Sequence, residues 1–119
     1  MNITIYHNPS CSKSRKTLEL IEKHGFAPKI VDYLKAPPDA ETVLRLASQL
    51  GVSVAEILRP GEDDYVALVK NASLDDNSAL AAGLKNHPRA LQRPIVVNED
   101  AGKAIIGRPP ETVLELWQK

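Results

Sequence analysis

Polar and apolar positions alternate over Asn2-Ile3-Thr4-Ile5-Tyr6, the period of a β-strand. The period then lengthens. Leu18 and Ile21, three apart, mark one face of a helix that opens soon after Cys11 and closes at Gly25. Lys29-Ile30-Val31-Asp32-Tyr33-Leu34 is again β-rich, and the intervening crossover is long enough for a parallel β-α-β unit. Ala36-Pro37-Pro38-Asp39 breaks the chain, and from there to about Pro88 the pattern is helical. Val43, Leu46, Ala47 and Leu50 predict a helix that Gly51 stops. Ser53-Val54-Ala55-Glu56 has the form of a capping box and starts a short helix through Ile57 and Leu58. Glu62, Asp63 and Asp64 precede a weaker segment from Tyr65 to Val69, and Ser73 or Asp75 is expected to cap a fourth helix carrying Leu80 and Leu84, ending before His87-Pro88.

Strand character returns at Ile95-Val96-Val97 and Lys103-Ala104-Ile105-Ile106. These flank Asn98-Glu99-Asp100-Ala101-Gly102, a loop suited to a hairpin. Pro109-Pro110-Glu111 opens a last helix with Val113, Leu114 and Trp117 expected on one face. The order is β-α-β, helices, then β-β-α. It predicts a single α/β domain over residues 1–119, with a mixed sheet built from both ends of the chain and a helical insertion at about 37–88.

Composition narrows the function. Fifteen basic and fifteen acidic residues cancel, so neither nucleic acid nor an anionic membrane is an expected partner. No apolar run approaches the ~20 residues of a spanning helix, and no basic segment followed by an apolar one stands at the N-terminus, which predicts a cytoplasmic protein. There is one cysteine. No intramolecular disulfide can form, so a Cys11 oxidised in turnover must be restored by a thiol from another molecule.

That cysteine lies in His7-Asn8-Pro9-Ser10-Cys11-Ser12-Lys13-Ser14-Arg15, the junction between the first strand and the first helix. A sulfur at a helix N-terminus meets unpaired N–H groups and the positive end of the macrodipole, and Lys13 and Arg15 add charge, so Cys11 is expected to be a thiolate near neutral pH. A second pattern concerns arginine. Arg59-Pro60, Arg93-Pro94 and Arg108-Pro109 are three Arg-Pro pairs among six arginines and nine prolines, several times more than random order gives. Proline pushes the preceding residue out of the helical region, so each arginine should project from an element boundary, with a planar fork of donors suited to a tetrahedral oxyanion. His24 and His87 have no partner at metal-ligand spacing, and neither a metal nor a bound cofactor is expected.

The motifs His7-Asn8-Pro9-x-Cys11-x-x-Ser14-Arg15-x-Thr17-Leu18, Leu58-Arg59, Arg93-Pro94-Ile95-Val96-Val97 and Gly107-Arg108-Pro109 together resemble the glutathione- and glutaredoxin-coupled arsenate reductase family over the whole chain. The resemblance implies a thioredoxin-like fold with a helical insertion and a cis peptide before Pro94. It implies Cys11 as nucleophile, Arg59, Arg93 and Arg108 as ligands of arsenate or a related oxyanion, and His7 as a support of the thiolate, with Ser14 and Arg15 as further supporting positions. The implied reaction forms an arsenylated Cys11; glutathione, as reducing co-substrate, then reduces the arsenic, and glutaredoxin frees the glutathionylated cysteine. Ser12-Lys13 replaces the Gly-Thr of the best-known members, making the loop bulkier and more positive. Two other functions fit parts of the sequence. Spx-type regulators that bind RNA polymerase share the fold but use a Cys-x-x-Cys switch, where this chain has Ser14. A monothiol glutaredoxin-like thiol transferase suits Cys-x-x-Ser but leaves the three arginines without a role.

Overall fold

The computed structural model describes residues 2–92 and 94–117. Contacts divide the chain into two units, Met1–Tyr33 with Arg93–Lys119, and Leu34–Gln92.

The first unit is a four-stranded sheet in the order β2-β1-β3-β4, formed by β1 (Ile3–His7), β2 (Lys29–Asp32), β3 (Ile95–Asn98) and β4 (Lys103–Ile106). Helix α1 (Ser12–Lys23) is the crossover between β1 and β2, which therefore run parallel, with Ile5 opposite Ile30. On the other side β1 pairs antiparallel with β3, setting Ile5 opposite Val96, and the β3–β4 hairpin sets Val96 opposite Ile105. Ile3, Ile5, Ile21, Val96, Val113 and Leu116 form the buried cluster, flanked by Leu18, Leu20, Phe26, Ile105 and Trp117. Alternation in β1 does not separate a wet face from a dry one, because the strand is central and Thr4, Tyr6 and His7 are buried as well.

Two expectations need correction in this unit. The second strand ends at Asp32, and Tyr33 and Leu34 already belong to a turn. The C-terminal helix, Pro110–Leu116, is a 3₁₀ helix. With three residues per turn its buried row is Pro110, Val113 and Leu116, while Leu114 and Trp117 are only partly covered. Asn98 ties this helix to β3 by donating to the Leu116 carbonyl at 3.1 Å.

The second unit is helical. Asp39 caps α2 (Ala40–Leu50) by accepting from the Thr42 N–H at 2.8 Å; Val43, Leu46 and Ala47 are buried, and Gly51 ends the helix at φ +75°, where a side chain would be strained. Val54–Ile57 is a 3₁₀ turn, and the Glu56 carboxylate reaches back to accept from the Ser53 N–H at 2.8 Å. Helix α3 (Asp63–Asn71) carries two acidic residues in its first turn, as the dipole favours. The cap of α4 (Asn77–Gly83) is Asp76, which accepts from the Ala79 N–H at 3.0 Å, and neither Ser73 nor Asp75. Ser73 instead accepts the Asp75 N–H in the preceding turn, at 3.3 Å. No helix among the described residues is long and apolar enough to cross a membrane.

Candidate functional site

The junction from β1 to α1 is built by short-range bonds. The Asn8 carbonyl accepts the Cys11 N–H at 3.0 Å, closing a turn with Pro9 at the position where a fixed φ suits it. The Asn8 side chain accepts from the Ser10 N–H at 3.0 Å. Cys11 is the N-cap of α1, extended at φ −95° and ψ 121°, and its carbonyl takes the first helical bond from the Arg15 N–H at 3.0 Å. Cys11 is a partly exposed residue, and its sulfur occupies the side-chain position where a cap oxygen usually stands, at the positive end of the helix. The N–H groups of the first turn have no helical acceptor one turn earlier, so they favour negative charge there.

Ser14 is fully buried under this loop. Its Oγ accepts the Asn8 N–H at 3.0 Å and stands 2.6 Å from His7 Nδ1. A neutral His7 with its hydrogen on Nε2 lets the Ser14 hydroxyl donate to Nδ1 while accepting from Asn8. Burial pushes the His7 pKa below its ordinary value; Asp32 opposes that shift and Arg15 adds to it. Because the folded protein resists protonation while the unfolded chain takes up a proton near 6.5, stability is present above that pH and is lost below it, until the folded imidazole itself charges. Thermal melts between pH 8 and pH 5 should therefore show a smaller acid loss in His7→Asn, whose amide can occupy the Nδ1 position, than in the parent. Equal slopes would remove His7 as the origin.

Arg108 reaches the sulfur, with Nη2 3.6 Å from Cys11 Sγ, across ninety-seven residues of sequence. Arg15 turns back toward the loop and donates from Nη1 to the Pro9 carbonyl at 2.9 Å. Arg59 belongs to the second unit, where its N–H donates to the Ala90 carbonyl at 2.7 Å beside the Leu58–Leu91 bridge. Arg93 lies outside the described residues, and with it the expected cis bond before Pro94; the Arg108-Pro109 peptide is cis.

Three residues given no role by sequence reasoning complete the junction. Asn8 was legible as an Asn-Pro pair, a turn-initiating dipeptide. Thr17 is buried one turn beyond Ser14, and two polar residues on the covered face of α1 were a visible break in its amphipathic pattern. Gly107 stood in the sequence only as the first residue of the Gly107-Arg108-Pro109 motif, with no role attached to it.

A parallel-antiparallel sheet with a cysteine at the first helix N-terminus and a guanidinium beside its sulfur defines a thiol-bearing protein of the thioredoxin-like fold. Residues 6–116 match the ArsC family, and the chain belongs to that family. It is 46% identical over 115 residues to the uncharacterized protein YfgD of Escherichia coli (strain K12), covering 96% of this chain and 95% of that protein. It is 42% identical over 115 residues to an arsenate reductase of Neisseria meningitidis serogroup A, covering 93% and 94%. A solved structure of arsenate reductase from Vibrio cholerae is similar with a TM-score of 0.87 at 46% identity, covering 98% of each chain.

Proposed function

We propose that this protein is an arsenate reductase that uses Cys11 as nucleophile and is coupled to glutathione and glutaredoxin. The carrying observation is the single thiol at the α1 N-cap with Arg108 Nη2 3.6 Å from its sulfur. Relatives and a solved structure named arsenate reductase, alike over nearly the full chain, support the substrate. Arsenate docks against Arg108 and the first-turn N–H groups, with Arg59 and Arg93 as the further guanidiniums that the family resemblance brings to the oxyanion.

The Cys11 thiolate attacks arsenic and displaces one oxygen, which leaves as water after protonation, so a sulfur–arsenic bond forms. A glutathione thiolate then attacks the Cys11 sulfur. The sulfur–sulfur bond forms as the sulfur–arsenic bond breaks, its electron pair stays on arsenic, and arsenite departs reduced by two electrons. Glutaredoxin attacks the glutathione sulfur of the mixed disulfide and releases Cys11 as thiolate. Ser14 supports this external route: it stands where a dithiol protein would carry a resolving cysteine, and it is buried against His7.

Purified protein is expected to produce arsenite over many turnovers with glutathione and glutaredoxin, and to fail with thioredoxin alone. Mass spectrometry of Cys11 after glutathione treatment is expected to show one glutathione adduct. Sustained turnover on thioredoxin without an adduct would overturn the coupling, and no turnover with either system would overturn the activity.

A further inference from the structure

Arg108 approaches Cys11 from the end of β4, so the separation of guanidinium and sulfur depends on how that strand end meets α1. They meet at Thr17 and Gly107. Thr17 Oγ1 donates to the Lys13 carbonyl at 2.8 Å, with the Gly107 carbonyl as a longer second acceptor at 3.4 Å. Gly107 donates its N–H to the Pro94 carbonyl at 2.9 Å, and the Arg108 N–H returns to the Ile106 carbonyl at 2.9 Å, forming a three-residue turn centred on Gly107. A Cβ at position 107 would stand 2.6 Å from Thr17 Oγ1, 3.0 Å from Thr17 Cγ2 and 2.9 Å from Pro94 Cγ. A β-branched side chain on a helix and a proline ring have little freedom to retreat. The backbone comes this close because residue 107 has no side chain.

We propose that the Thr17–Gly107 contact is the joint that sets the distance between Arg108 and the Cys11 sulfur, making Thr17 and Gly107 positioning residues that act through Arg108. The inference rests on the proposed function only in taking Cys11 as a working thiolate. Adding a methyl group at 107 must move the strand end away from α1, and Arg108 is the next residue along. Removing Thr17 Oγ1 and Cγ2 takes away two of the three obstructing atoms, so Thr17→Ala is the compensating change.

The test is the rate of Cys11 alkylation by iodoacetamide against pH, which needs neither arsenate nor a reductant and is readable even if arsenate reduction fails. Gly107→Ala should move the profile to higher pH, slowing alkylation below the midpoint about two- to fivefold, the size of one partly exposed charge contact. Thr17→Ala in the same chain should recover at least half of that loss. In an Arg108→Ala background, Gly107→Ala should add nothing. An unshifted profile in folded Gly107→Ala, or an equal loss with Arg108 already removed, would overturn the joint. Should Gly107→Ala fail to fold, Thr17→Ile crowds the contact from the helix side and takes its place in the same cycle, with the same outcomes deciding.

Discussion

Cys11→Ser is expected to end arsenate reduction while leaving the fold intact. The serine hydroxyl keeps its proton near neutral pH, so nothing at this position can attack arsenic, and no sulfur remains to carry glutathione. Turnover should fall by more than about a thousandfold, to the limit of an arsenite assay. The structural expectation runs the other way. Cys11 is an N-cap without a side-chain capping bond, and serine is among the preferred N-cap residues, so α1 should hold its stability or gain slightly. Arsenite formation and a thermal melt on the same sample separate the two effects. Residual turnover above background would remove Cys11 as nucleophile, whereas a collapsed melt would make the lost activity uninformative and remove the claim that the fold is indifferent to the sulfur.

Ser14→Ala is expected to be the more damaging change for stability. Its hydroxyl serves two buried groups, accepting from the Asn8 N–H at 3.0 Å and meeting His7 Nδ1 at 2.6 Å. Alanine leaves both without that partner in a place that is fully covered. An orphaned buried polar group costs about 1–3 kcal/mol, so a total near 2 kcal/mol and a fall in Tm of roughly 8 °C are expected. The same substitution loosens the turn that presents Cys11, and alkylation of the thiol should lose its uniform rate or shift its pH profile. Differential scanning calorimetry and the alkylation series report these separately. A melt within about 2 °C of the parent, well inside the expected cost, would show that Ser14 does not hold the loop.

Ser14 also illustrates why part of the site was hidden. As a letter in the sequence it could be a local backbone partner, a substrate contact or a substitute for a resolving cysteine. Its burial, and its bond to a strand residue seven positions earlier, exclude it from the exposed face of α1. His7 changes in the same way. The resemblance implies His7 as a support of the thiolate, and the structure joins it to the loop through Ser14, with burial holding its pKa down. Capping chemistry shows the same limit on a smaller scale: Ser73, Asp75 and Asp76 are all competent, and only the local backbone decides that Asp76 reaches the Ala79 N–H.

The sequence by itself determined the local elements, because their signals are local. A period-2 run gave β1, β-rich runs flanking a turn-rich loop gave the β3–β4 hairpin, helical spacing with Gly51 gave α2, and the strand–Cys11–helix order placed the thiol at a helix N-terminus. Arg59-Pro60 and Arg108-Pro109 marked element boundaries for the same reason, since proline restricts its immediate neighbour. Tertiary structure alone decided what those elements bring together. The C-terminal helix takes three residues per turn, burying Pro110, Val113 and Leu116 in one row, which neither its proline start nor its apolar spacing specifies. Arg108 stands beside Cys11, ninety-seven residues away, because β1 and β3 pair antiparallel and Gly107 lets the end of β4 close on Thr17. Periodicity encodes which face an element buries, whereas the approach of two elements depends on packing between positions that carry no shared pattern in the chain.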